Sequence, residues 1–209
     1  MSLLNFLASD TAVRLAAGLG VLLAFVSEVR YIKKIQQGAV ILSLSGILVF
    51  LVSSLLGGAA SLAAGGLVAG IVPLSFAVLD AVMLYVAYRS GHHGGWSAPD
   101  SWFLLVALLG GVGWIALKHP APALLCSLGI SAIGYVSIFR KMLRFPERED
   151  SIAWVLAWLA FALPLAVLLP RAGWRFDGMA HSVVAFHTVA CFLILVIHLV
   201  QKRKNRAKP

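Results

Sequence analysis

Read from its first residue, the chain alternates long apolar runs with short polar breaks. A helix needs about 20 mainly apolar residues to cross about 30 Å of hydrocarbon. Seven runs reach or approach that length: Thr11–Val29, Gly38–Leu56, Ala63–Tyr88, Trp102–Leu117, Ala121–Phe139, Ile152–Leu169 and Met179–Val200. The fourth is the shortest and is interrupted by Gly110, Gly111 and Gly113. The breaks fall at Gly57-Gly58, Ser90–Pro99, His119-Pro120, Arg144–Asp150 and Pro170–Gly178, all rich in residues that interrupt helices. Lipid admits only helices or closed barrels, and runs this long without strict alternation are helical. The pattern predicts an all-α polytopic membrane protein with seven transmembrane helices.

Composition agrees with the pattern. The 209 residues are 61% hydrophobic and 12% charged, with a mean hydropathy of +0.95. Soluble domains average about 45–50% apolar and about 25% charged, so lipid must serve as solvent here. A net charge of +9 would elsewhere suggest nucleic acid, but these cations sit between apolar runs and in the tail. Cys126 and Cys191 both fall inside apolar runs, where small buried thiols are expected rather than a disulfide. The first run follows no basic segment and precedes no small-residue cleavage site, so it is expected to be retained.

The cations orient the chain. Thirteen of the 17 Lys and Arg lie in the breaks after runs one, three and five or in the tail, from Arg30, Lys33 and Lys34 to Arg206 and Lys208. The other side holds Arg14, Lys118, Arg171 and Arg175. Positive charge stays cytoplasmic, which places the N-terminus outside, the C-terminus inside and an odd number of spans between. A repeat follows. Val29-Arg30-Tyr31-Ile32-Lys33-Lys34-Ile35 matches Val136-Ser137-Ile138-Phe139-Arg140-Lys141-Met142 in residue class, apart from Arg30 against Ser137. The division is then a first triple-helix bundle over residues 1–89, a linking span over 90–120, a second bundle over 121–201 and a basic tail over 202–209.

With this 3+1+3 layout, the chain resembles the SWEET/PQ-loop superfamily of sugar and small-solute transporters. The most specific local stretch is Ile133-Gly134-Tyr135-Val136-Ser137-Ile138-Phe139-Arg140-Lys141, followed by Pro146, Ser151 and Trp154. It is similar to the inner end of a triple-helix bundle in bacterial PQ-loop-like proteins. The Pro-Gln pair itself is absent from both halves. The resemblance implies rocking of two bundles about prolines, for which Pro164 in the sixth span qualifies. PnuC-type vitamin transporters share the plan and stack their ligands on tryptophan, which keeps a vitamin-like solute open beside a sugar-like one.

Ionisable groups inside a span cost several kcal/mol, by roughly 2.5–3.5 at the centre, and so mark functional candidates. Asp80 lies well inside the third span, and Pro73 shares its face seven residues earlier. Its alternative is interhelical glue. The repeat spacing carries Asp80 onto His187 in the seventh span, whereas counting back from Arg89 and Lys202 leads to Ala190–Phe192 instead. His181 and His198 are expected at the two interfaces. Trp158 is a stacking candidate one turn from Trp154, whose place fits an aromatic belt. Ser127, Ser131 and Tyr135 form a polar stripe that either lines a cavity or bonds between helices. Glu28 is expected to pair with Arg30 or Lys33 at the interface, or to act as a gate. Gly66 and Gly70 suggest close helix packing.

The sequence reading is therefore a transporter of a small polar solute by alternating access. Asp80, His187, Trp158, Ser131 and Tyr135 would be at its site, and Pro73, Pro164 and Glu28 at its hinges or gates. A non-transporting membrane scaffold, sensor or assembly protein with the same bundle is the alternative. An enzyme is not expected, since no Gly-x-Ser-x-Gly elbow or His-rich cluster occurs and no carboxylate pair is evident in the spans. Neither cofactor nor metal is expected, His92-His93 being too short a cluster. Expected partners are the bilayer and the solute but not nucleic acid, and a homo-oligomer is compatible with the sequence. Short loops and high apolar content fit a bacterial inner membrane.

Overall fold

The computed structural model describes residues 9–40, 42–91, 93–94, 98–145, 149–172 and 181–206. His92, Trp96, Pro146, Arg148, Arg175 and Lys208 lie outside these ranges. The described residues form seven helices: α1 (Asp10–Gln36), α2 (Leu44–Ala63), α3 (Leu67–Ser90), α4 (Ala98–Leu117), α5 (Ala121–Arg144), α6 (Ser151–Arg171) and α7 (Ser182–Arg206). Two-residue strands β1 (Leu42–Ser43) and β2 (His93–Gly94) pair in parallel between the loops after α1 and α3. Six helices are long and apolar enough to cross a membrane; α4 contributes a shorter apolar stretch, Leu108–Leu117. The chain is a helical integral membrane protein.

The burial pattern is that of a protein dissolved in lipid. Over most of α1 the residues facing the other helices are small or polar, Ala12, Ala16, Gly20, Ala24, Ser27 and Glu28, and only near its end does the large Ile35 join them. Its large apolar residues Leu15, Leu19, Leu22, Phe25 and Val26 point outward. Both sets recur at three- and four-residue steps, which place them on opposite faces of one helix. Small residues let backbones approach closely where no hydrophobic effect drives helices together.

One boundary differs from expectation. Gly57 and Gly58 lie inside α2 rather than in a break, and the turn falls at Ala64–Gly66, with Gly65 at φ +83°. The two glycines serve helix contacts instead. A side chain at Gly57 would strike the Ser127 hydroxyl, and one at Gly58 would come within 3.0 Å of the Gly70 carbonyl. Gly70 does pack closely, as its sequence register suggests, whereas Gly66 is the residue before α3 begins. Two of the three glycines of α4 have a similar use, Gly110 resting on Cys126 and Gly113 on Pro122, whereas Gly111 meets nothing within 4 Å.

The helices close into a ring in the order α1, α3, α2, α5, α7, α6 and back to α1. Helix α4 stands outside, against α2 and α5, and lighter contacts of α3 with α6 and α7 fill the middle. Two long seams join the first three helices to the last three. In the α1–α6 seam, Gly20 abuts the Ala160 carbonyl and Pro164. In the α2–α5 seam, Ser127 Oγ donates to the Ser53 carbonyl at 2.8 Å and faces Gly57. Gly20, Ser53 and Gly57 in the first half stand 107 residues before Ser127, Ala160 and Pro164 in the second. The two seams thus meet at corresponding positions.

Candidate functional site

The main core lies within this ring. Ala24 of α1, Val72 and Phe76 of α3, Tyr135 of α5, Phe161 of α6, and Val184, Cys191 and Ile194 of α7 belong to one buried cluster. Glu28 is one turn past Ala24, and Asp80 one turn past Phe76, which carries both carboxylates to one margin of it. Both are buried, with residual exposures of 9% and 7%. They lie within electrostatic reach of each other. Glu28 Oε2 has no hydrogen-bond partner among the described residues.

The second half supplies a matching pair. Tyr135 Oη and His187 Nδ1 are 2.7 Å apart, and Cys191 Sγ is 3.5 Å from the same hydroxyl. The His187 ring stacks on Phe161 at a centroid distance of 4.7 Å, and Phe161 stacks on Phe76 at 4.9 Å. Tyr135 shares its core cluster with Ala24 and Phe76, the residues one turn before Glu28 and Asp80. The spacing of 107 residues relates Glu28 to Tyr135 and Asp80 to His187. A carboxylate pair in one half therefore answers a phenol–imidazole pair in the other. Tyr135→Phe would leave His187 Nδ1 buried without its partner. It is expected to lower stability by about 1–2 kcal/mol, measured as the unfolding midpoint in detergent.

Two expectations about Glu28 are corrected. It does not pair with Arg30, because residues two apart point to different sides of a helix. Arg30 Nε instead meets Asp150 Oδ2 at 2.7 Å, an ionic contact without an aligned hydrogen bond. Nor does it stand at an exposed interface, since it is only 9% exposed.

The other candidates separate. Ser131 is fully buried with its hydroxyl against that of Ser53, so it joins α5 to α2. Trp158 lies at the rim of the core, its ring tilted on Phe192 at 6.0 Å. Pro73 and Pro164 are fully buried in α3 and α6. His181 and His198 stand near the two ends of α7 but are buried, and Ser151 Oγ lies 2.7 Å from His198 Nε2. No grouping of three or more potential metal ligands occurs among the described residues.

A second polar cluster was not foreseen. Where α1 ends and α6 begins, Glu149 Oε2 accepts from Tyr31 Oη at 2.7 Å and from Trp154 Nε1 at 3.2 Å. Ser27 Oγ donates to the Ala153 carbonyl at 2.8 Å. Asp150, besides meeting Arg30, caps α6 by accepting from the Ile152 and Ala153 amides. Trp154 is thus part of this network rather than only an interfacial belt. At the opposite end of the same seam Asp10 pairs with Arg171. There a cleft of about 460 Å³ opens between α1, α3 and α6, lined by Arg14, Gly65, Gly66, Leu168, Arg171 and His181 among others.

The chain matches no known family model, no curated protein and no solved structure at a significant level. The chemistry of the site must carry the functional reading by itself.

Proposed function

We propose that this protein is a small-solute transporter working by alternating access, built as two triple-helix bundles, α1–α3 and α5–α7, joined by α4. The observation that carries this reading is the convergence of Glu28, Asp80, Tyr135 and His187, from both halves, on the interior of a ring whose seams correspond. Buried ionisable groups facing the interior of a bundle are costly and mark solute or proton paths. Paired repeats place such a site at their interface. The plan is that of the SWEET/PQ-loop superfamily, with the N-terminus outside and the C-terminus in the cytoplasm of a bacterial cell.

The two seams suit different tasks. The α2–α5 seam is closed by serine hydroxyls and by glycine contacts at Gly57 and Gly134. The α1–α6 seam carries an ion pair at each end and the Glu149 network at one of them. The Asp10–Arg171 pair is exposed on both sides and worth about 0–1 kcal/mol, and Arg30 reaches water at the other end, so water can enter this seam from both ends. The α1–α6 seam is the one that parts, and the α2–α5 seam is the pivot. Pro164 removes the amide that would otherwise bond the Ala160 carbonyl, which places a flexible point in α6 beside Gly20.

Spin labels test this motion without knowledge of the solute. With Cys126 replaced by alanine, one pair is placed at Lys33 and Ile152 and another at Leu15 and Ala172. Two distance populations are expected at each end, with the long distance at one end accompanying the short distance at the other as conditions change. A single fixed distance at both ends would instead identify a non-transporting scaffold.

A further inference from the structure

We propose that the solute is a small organic cation bearing an amine, held between Glu28 and Asp80 beside the ring of Phe76. This rests on the transporter reading and gives its substrate class. The chain as a whole is cationic, with eight acidic residues against 17 Lys and Arg. Four of the eight, Glu28, Asp80, Glu149 and Asp150, nevertheless lie buried along the interior of one half of the ring. Of these, Asp150 meets Arg30, and Glu149 is bonded by neutral Tyr31 and Trp154. Tyr31, three residues past Glu28 on α1, bonds Glu149, and Arg30 between them meets Asp150, so the three carboxylates gather round one stretch of α1. Glu28 and Asp80 each lie one turn past a residue of the shared core, Ala24 and Phe76. The acids thus form a file leading from the end of the α1–α6 seam to the aromatic core.

Glu28 is the decisive member of that file. It is nine-tenths buried, and one of its oxygens has no hydrogen-bond partner among the described residues. Buried carboxylates need a compensating cation or donor. An ammonium group supplies both, donating hydrogen bonds to two carboxylates at once. Phe76, one turn before Asp80, adds an aromatic ring beside the acids, and such rings attract cations. A metal ion fits less well, because hard cations require six or more oxygen ligands and the surrounding core is largely apolar. The Tyr135–His187 pair opposite the acids can bond a hydroxyl or second polar group of the same solute. The half-to-half difference between carboxylates and phenol–imidazole gives the solute a direction in the site: its charged end lies toward α1 and α3, its neutral polar end toward α5 and α7.

The test uses the full chain in liposomes on a capacitive electrode, with methylamine, ethanolamine and choline as cationic probes and glucose and ribose as neutral ones. At least one cationic probe is expected to produce a transient displacement of positive charge and to raise the unfolding temperature of the detergent-purified protein. Glu28→Gln and Asp80→Asn should each weaken that binding about tenfold or more, the equivalent of about 1.4 kcal/mol. Glu28→Asp, which keeps the charge, should recover most of it, separating loss of charge from loss of folding. Binding of a neutral probe without charge displacement, unchanged in Glu28→Gln, would overturn the cation assignment and leave transport standing. Failure of every probe would overturn the cation assignment too. If the spin-label distances were also fixed, the transporter reading would fall with it.

Discussion

Gly20→Ala is expected to destabilise the protein while Gly18→Ala, half a turn away, stabilises it. A methyl group at Gly20 would lie 2.8 Å from the Ala160 carbonyl oxygen and 3.2 Å from both Pro164 and Val72. The first of these is backbone and cannot swing aside, so α1 and α6 must separate. Overpacking of this kind costs about 1–3 kcal/mol, and Gly20→Leu should reach or exceed the upper end. Gly18 meets nothing within 4 Å. Replacing a helical glycine there removes only backbone freedom from the unfolded chain, a gain of about 0.5–1 kcal/mol. Unfolding midpoints followed by tryptophan fluorescence in one detergent compare the two directly. Equal shifts of the same sign would show that α1 does not sit against α6 at Gly20.

The second large effect is expected at Asp150, where two roles can be separated. Asp150→Ala removes the cap of α6 and the partner of Arg30 together, for a combined loss of about 1.5–3 kcal/mol. Asp150→Asn keeps an acceptor for the Ile152 and Ala153 amides but not the charge. Arg30 is 39% exposed, so water screens much of that pairing and the asparagine variant should lose less than about 1 kcal/mol. On the proposed mechanism both variants favour the state open at this end. The Lys33–Ile152 label pair should then gain long distances in each, although only the alanine variant unfolds markedly earlier. A stability loss without any shift in distance would assign Asp150 to capping alone.

The helices were legible because lipid leaves few alternatives: an apolar run of this length has to be helical. Their limits were less so. Gly57-Gly58 reads as a turn under rules drawn from punctuation, yet in a membrane glycine also serves the close approach of helices, and only the neighbouring Ser127 and Gly70 reveal which use applies. Asp80 stood out as a charge in an apolar run. Glu28 was misassigned because nearness in sequence to Arg30 suggested a pairing that helical geometry forbids. Glu149 and Asp150 were hidden in the basic stretch Arg144–Asp150. The signal available was Asp150 immediately before the apolar run from Ile152, a pattern that marks a helix start. The stacking of His187 on Phe161, and of Phe161 on Phe76, had no sequence signal, since it joins three helices whose order around the ring is set by packing.

The closing of the ring also sets the order in which it can be made. Helix α1 finds α3 soon after synthesis, but its other neighbour, α6, comes much later: 118 residues separate Tyr31 from Glu149, and 126 separate Ser27 from Ala153. At about 5–20 residues per second, that delay is roughly 6–24 s. Throughout it Arg30 and the polar face of Ser27 and Glu28 have none of their α6 contacts, although α1 has already left the ribosome. The first helix therefore has to wait near the insertion machinery or at the bilayer surface, with its outward leucines in lipid and its acid still hydrated. Closure of the α1–α6 seam is then among the latest steps of assembly, beside the seating of α7 between α5 and α6.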